Sequence, residues 1–371
     1  MKVKLSEVCN ITMGQSPDSS SYNQKSDGIP FFQGNADFGT LYPTARTWTT
    51  SPKKIAQKDD ILISVRAPIG ALNYANIECC IGRGLASIKP LKSVYSKYIF
   101  YLLKSQKSNL DSQGVGSTFK AIGRKNLEEI EIENLDIETQ QRIAHHLDTI
   151  QSAIDNKKQQ LALLDEVVKS RFIELFGDPV LNSKKWEVKK LKDTTDIITG
   201  NTPSRKEKDN YGDFIEWIKT DNITDKTYIT KATESLSEKG EKLGRTVEAG
   251  SILMACIAGS LKSIGRVALT DRKVAFNQQI NAIVPKKYNN LFLYALFQNT
   301  QSYAQSTVNM ALKGILSKGK LEELEYIVPP INLQNEFADF VQQIDKSKFV
   351  VKQQLADLQE LLDSKMQEYF G

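Results

Sequence analysis

Two stretches of the chain carry a helical rhythm of apolar positions. In the first, Ile143, Leu147, Ile150, Ile154, Leu161, Leu164, Val168, Phe172 and Leu175 recur at spacings of three, four or seven. In the second, Phe337, Val341, Ile344, Val351, Leu355, Leu358, Leu362, Met366 and Tyr369 do the same. Such spacing lays one apolar stripe along an amphipathic helix. No glycine lies between Gly123 and Gly177 or between Gly319 and Gly371, and no proline between Pro90 and Pro179 or after Pro330. Nothing therefore breaks either helix. A helix over 139–176 would be roughly 57 Å long. Two stripes of that length are most simply buried against each other, which predicts an antiparallel coiled coil. One lysine interrupts each stripe, Lys157 in the first and Lys348 in the second. Thr139 and Asn332 are the expected helix caps, and Gly177 with Pro179 just beyond it is the expected stop.

The remaining sequence has shorter periods. DILISV (60–65), LASIKP (85–90), SILMACIA (251–258) and INAIVP (280–285) read as strands, and SKYIFYLLKSQ (96–106) and LFLYALFQNTQSYAQ (291–305) as helices. The pattern also repeats. ELFG at 174–177 meets EYFG at 368–371, KQQLALL (158–164) meets KQQLADL (352–358), and LEEIEI (127–132) meets LEELEY (321–326), all at an offset of 194. Upstream the offset drifts, to 191 for ILIS (61–64) against ILMA (252–255), and to 186 for KLSEVCNITMGQSP (4–17) against KLKDTTDIITGNTP (190–203). The chain is one unit written twice. The expected fold is α+β, with bodies at 1–137 and 179–331 and long helices at 138–178 and 332–371.

Composition narrows the function classes. In 371 residues, 40% are hydrophobic and 25% charged, as in ordinary globular domains. No apolar run approaches the ~20 residues of a membrane span, and MKVKLSEVCN lacks the apolar core of a signal peptide. Cytoplasm is the expected location. The net charge of +5 is unevenly spread: 139–176 is neutral and 332–371 carries −3, leaving +8 on the bodies. That favours a polyanionic partner for the bodies. Cys9, Cys79, Cys80 and Cys256 form no C-x-x-C pair and read as buried, reduced thiols. His145 and His146 point about 100° apart on a helix, so they cannot share a metal.

Chemistry is hard to find. GILSKGKL (314–321) has Gly314, Gly319 and Lys320 at phosphate-loop spacing, but Leu321 stands where Ser or Thr would hold Mg²⁺. GVGSTF (114–119) keeps only the first two glycines of a dinucleotide fingerprint. No metal-ligand cluster is visible, and with only two histidines a histidine-based triad would have to use one on the long helix. A binder, without a catalytic site or cofactor of its own, is expected.

The order of motifs carries a family resemblance. ITMGQSP and IITGNTPS open the two repeats, GIPFFQGNADF and FIEWIKTDNIT (214–224) follow, and then DILISVRAPIG (60–70) and GSILMACIAGSLKSIG (250–265). GVGSTFKAIGRKNLEEIEI (114–132) comes next in the first copy. IENLDIETQQRIAHHL (132–147) and LEYIVPPINLQNEFADFV (324–341) then enter the long helices. In this order, twice, the whole chain resembles the specificity subunit of type I restriction–modification systems. LDIETQ lacks the paired proline of the second copy, and ACIAGS is looser than SVRAPIG. The resemblance implies two target recognition domains, each reading one half of a split target in double-stranded DNA, with the coiled coil as a ruler. It also implies assembly with two methyltransferase subunits and with restriction/translocase subunits. S-adenosylmethionine, ATP and Mg²⁺ would belong to those partners.

Phosphate contacts need cations or backbone amides, and base reading needs Arg, Lys, Asn, Gln, Ser or Thr at groove edges. The DNA-binding candidates in the first body are Gln15, Ser16, Gln33, Asn35, Arg66, Arg83, Ser117, Lys120 and Arg124. In the second they are Thr202, Ser204, Arg205, Lys219, Asn222, Lys262, Gln278, Gln279, Lys313 and Lys318. Each also reads as a solvated surface residue, and alternate positions of FNQQINAI must face a core. Trp48, Trp186 and Trp217 read as core. Three other readings stay open: a coiled-coil protein adaptor, recognition fused to catalysis, for which VPPI is the nearest approach to a methyltransferase tetrad, and a specificity protein that acts without partners.

Overall fold

The computed structural model describes residues 2–116, 120–308 and 314–371. It divides into two compact units, Met1–Gln159 with Lys352–Gly371, and Gln160–Val351. The division falls within both long helices, Ile137–Phe176 and Ile331–Phe370.

The duplication read from the sequence reappears in the main sheets. A four-stranded antiparallel sheet runs Cys9–Met13, Leu85–Pro90, Ile61–Ser64, Leu72–Tyr74 in the first copy. Its counterpart runs Thr195–Thr199, Ile280–Pro285, Ile252–Ala255, Val267–Leu269. Each copy adds a five-stranded mixed sheet. In the first it orders Tyr22–Asn23, Trp48–Thr49, Ile29–Phe32, Cys79–Ile81, Ile55–Ala56, and in the second Tyr211–Gly212, Ser235–Leu236, Ile215–Ile218, Val274–Phe276, Thr246–Val247. The strand beginning at Leu85 and the one beginning at Ile280 occupy the spans expected from LASIKP and INAIVP. A two-stranded pairing of Lys2–Lys4 with Glu131–Glu133, and of Val188–Lys190 with Glu325–Ile327, closes each copy.

The apolar stripes of the long helices do more than pair with each other. In the first unit Ile143, Leu147, Ile150, Ile154 and Leu362 share one core with Tyr98, Ile99, Leu102 and Leu103 of helix Ser96–Ser105. The helix segments run antiparallel, with His146 Nδ1 2.9 Å from the Tyr369 hydroxyl. In the second unit Phe172, Phe176, Phe337 and Val341 join Phe292 and Leu296 of helix Asn290–Asn299. Phe172 lies 5.5 Å from Phe337 and 5.8 Å from Phe292, ring centre to ring centre. In each unit a body helix joins the two stripes and completes the groove. Leu161, Leu164 and Ile344 are only half-buried. Lys348, one of the two interrupting lysines, keeps its stem buried and reaches Asp165 across the helix pair at 2.6 Å.

Helix ends differ from expectation. Asp136, not Thr139, caps the first long helix, its carboxylate accepting from the Thr139 amide and hydroxyl, both at 2.8 Å. Asn332 lies inside the second, which starts directly after Pro330. Gly177 ends the first helix at φ +73°, a conformation that costs glycine little. The helix expected over 291–305 is two helices, Asn290–Asn299 and Gln301–Ser306, parted at Thr300. There the Thr300 hydroxyl bonds back to the Leu296 carbonyl at 2.7 Å, a contact that bends helices.

One repeated device ties each long helix to its body. Gln140 is buried, accepts from the Tyr95 amide at 2.8 Å and donates to the Leu135 carbonyl at 2.9 Å. Gln334, 194 residues on, does the same with the Asn289 amide (2.9 Å) and the Pro329 carbonyl (2.8 Å). Truncating either leaves two partly or fully buried backbone groups without their partner. Gln140→Ala and Gln334→Ala are each expected to cost about 1–3 kcal/mol, measured by denaturant unfolding, whereas Gln141→Ala, exposed on the first long helix, should change little.

Candidate nucleic-acid interface

In each body the loops that carry the candidates gather at one end of the sheets. Leu85–Pro90 is antiparallel to both Cys9–Met13 and Ile61–Ser64, so its start lies beside their ends. Ile29–Phe32 and Cys79–Ile81 are parallel and end together. The link Gly82–Gly84 passes from one sheet to the other at this place, and every neighbour bonds to it. Gly82 N donates to Phe32 O (2.8 Å), Gly84 N to Gln33 O (3.1 Å), Val65 N to Gly84 O (2.9 Å) and Leu85 N to Gly82 O (3.0 Å). Arg83 N donates to Ser16 Oγ at 3.3 Å. The packing explains the glycines: a Cβ on Gly84 would stand 2.4 Å from Gln33 O, and one on Gly14 2.1 Å from Gly82 O.

This brings Gln15, Ser16, Gln33, Asn35, Arg66 and Arg83 together. Gln33, Asn35, Arg66 and Arg83 line one cavity of about 360 Å³. Lys120 is next to them in the fold, because Ala67 N donates to Lys120 O (3.1 Å) and Arg66 bridges Ala121. Among the described residues, Arg66, Arg83 and Lys120 have no carboxylate partner. Ser117 and Lys313 lie outside the described residues.

The second body repeats the arrangement with other side chains. Asn277 N donates to Ile218 O (3.0 Å), Ile280 N to Asn277 O (3.1 Å) and Cys256 N to Gln279 O (2.8 Å). Thr202 hydrogen-bonds Gln278 through Oγ1 and Oε1. Arg205 and Lys219 converge on one carboxylate, Glu234, at 2.8 and 2.6 Å. Both cations also lie over the Trp217 ring, at 5.3 and 5.2 Å, and Arg205 over Tyr211 at 5.0 Å. Trp217 is buried, as its core reading expects, yet its face is a platform for two cations; Trp48 and Trp186 are half-buried.

The remaining candidates have these surroundings. Asn222 is buried, its Oδ1 accepting from Lys219 N (3.0 Å) and its Nδ2 donating to Thr230 Oγ1 and Lys231 O. It holds its turn together and has no donor left for a base. Gln279 takes Asn277 Nδ2 at 3.2 Å. Arg124 and Lys318 begin equivalent short helices and pair one turn on with Glu128 (2.6 Å) and Glu322 (3.5 Å). Ser204 is exposed, its carbonyl accepting from Asn210. Lys262 sits on a turn whose carbonyls are held by Gln301 and Gln305. Lys320, of the near phosphate-loop motif, donates to Thr307 O instead, and Ser317 is an ordinary cap of a six-residue helix.

Comparison with known sequences now decides the family. The family model described as the type I restriction modification DNA specificity domain matches residues 1–166 and again 183–360. The chain belongs to this family. A putative type I restriction enzyme MjaX specificity subunit from Methanocaldococcus jannaschii is 44% identical over 160 residues, 43% of this chain and 38% of that protein. The MjaIX specificity subunit of the same organism is 25% identical over 332 residues, 84% of this chain and 76% of that one. The fold is shared with the type I restriction–modification S subunit from M. genitalium, with a TM-score of 0.57 at 16% identity, covering 100% of this chain and 96% of that chain. The two family matches follow the internal repeat, so each specificity domain carries one of the loop clusters above.

Among the described residues no group of His, Cys, Asp or Glu could hold a metal, and no helix is long and apolar enough to cross a membrane. All four cysteines are free and buried. Sequence reading of the specificity domains missed Glu234 and Asp37. Asp37 shapes the first cluster by accepting from Gln33 N at 2.9 Å. The Lys219 and Arg205 cations hold the Glu234 carboxyl below its usual range, as Arg272 does for Glu216. A carboxyl depressed in the folded chain adds stability above its unfolded value, near ~4.3, and that stability is lost as pH falls below it. Glu216→Gln should therefore melt at a lower temperature than the parent at pH 7, with the gap narrowing as pH drops from about 5 to 3.

Proposed function

We propose that the chain is the non-catalytic specificity subunit of a type I restriction–modification complex, and that it recognises a bipartite target in double-stranded DNA. Each body reads one half, and a gap of fixed length separates the halves. Two methyltransferase subunits bind it and methylate adenine using S-adenosylmethionine. Restriction/translocase subunits that use ATP and Mg²⁺ join in the full complex, which works in the cytoplasm. The observation that carries this reading is the duplicated loop cluster: one scaffold, present twice, offering polar and cationic side chains at the same end of the sheets. The excess charge of +8 outside the long helices supports it, since duplex DNA rewards cations on its reading surfaces.

Co-purification with the cognate methyltransferase subunits, followed by mapping of methylated adenines, should return one gapped motif. A verified, active complex that methylates without sequence preference would exclude the reading and favour the protein-adaptor alternative. Within that complex Lys120→Ala is expected to weaken binding to all duplexes alike and to lower the slope of log affinity against log salt by about one. A Lys120→Ala complex with unchanged salt dependence would remove Lys120 from the phosphate contacts.

A further inference from the structure

The link between the two sheets shows a different residue at its tip in each body. Arg83 follows strand Cys79–Ile81, and Gln278 follows strand Val274–Phe276, at an offset of 195 that also aligns the next strands from Leu85 and Ile280. The two tips are held alike. Gly82 N and Asn277 N donate to the equivalent carbonyls of Phe32 and Ile218, and Leu85 N and Ile280 N close the same turn. A hydroxyl one offset back reaches each tip, Ser16 to the Arg83 amide and Thr202 to the Gln278 carboxamide. Both tip side chains are exposed. Arg83 opens into the cavity shared with Gln33, Asn35 and Arg66. Gln278 keeps both amide hydrogens and one acceptor lone pair after its bond to Thr202.

A neutral carboxamide such as that of Gln278 can donate to a phosphate oxygen but brings no positive charge to the contact. What an arginine and a glutamine share at one rigid tip is a planar head able to make two parallel hydrogen bonds. In the major groove a guanidinium fits O6 and N7 of guanine, and a carboxamide fits N6 and N7 of adenine. We propose that this tip is a paired base-reading position, with Arg83 selecting guanine in the half-site of the first body and Gln278 selecting adenine in the half-site of the second. The inference rests on the bipartite reading above and names the residues that perform it.

The test uses the full chain in complex with its methyltransferase subunits and a library of random duplexes, with methylated adenines mapped for the parent, Arg83→Gln and Gln278→Arg. A parent complex with no gapped motif sinks the bipartite reading and this inference with it. Given a parental motif, Arg83→Gln should change one guanine position in one half, with a preference loss of roughly 10-fold or more, and leave the other half intact. Gln278→Arg should alter one adenine position in the opposite half. An unchanged motif in either variant overturns the assignment for that residue. So does a uniform loss of methylation on every sequence with unaltered thermal unfolding, which would make the residue an affinity contact.

Discussion

Each unit depends on one burial: the apolar stripes of two antiparallel helix segments closing over a short helix of the body. In the second unit this packs Phe172, Phe176, Phe292 and Phe337 edge to face and in stacks between 4.6 and 5.8 Å apart. A fully buried phenylalanine contributes about 1.5–3 kcal/mol, and such pairs add further geometric preference. In the first unit Tyr98 and Phe370 make the corresponding contact at 5.2 Å. Neither body helix could hide its apolar face without the long helices, and the long helices could not fully hide theirs without the body. The buried glutamines Gln140 and Gln334 then fix the register of that contact, because each must find both of its backbone partners at once.

A rigid base makes the variable end useful. The loops that carry Gln33, Arg66 and Arg83 are fastened by backbone hydrogen bonds and by glycines with no room for a side chain. The scaffold therefore stays constant while exposed side chains change, and the two copies do differ: Arg83 against Gln278, Gln33 against Lys219, Arg66 against Ile257. The first cluster presents arginines without carboxylate partners among the described residues. The second presents Arg205 and Lys219 tethered to Glu234 over an aromatic face. Two heads of one design can thus carry different recognition chemistry.

Much of the architecture was legible in the sequence because it is written in periods. The spacing from Ile143 to Leu175 and the offset of 194 are properties of the string itself, and they lead directly to the long helices and the doubled sheets. Side-chain fates were less legible. Asn222 looks like a base reader and is a buried turn clamp, because its partners Thr230 and Lys231 come close only through the fold. Glu234 was not legible because neither glutamate of ATESLSE belongs to a local pattern, although Glu234 pairs with two cations. The third surface of the helix groove was hidden for the same reason. The stripe shows that Phe172 is buried, not what buries it.

Exchange of one body tests the account most directly. Residues 179–331 would be replaced by the equivalent body of a family member with a different target, and methylated adenines mapped in the complex with methyltransferase subunits. The account predicts a hybrid motif, with one half replaced and the other half and its adenine unchanged. A motif altered in both halves, or in neither, would contradict the claim that each body reads its own half.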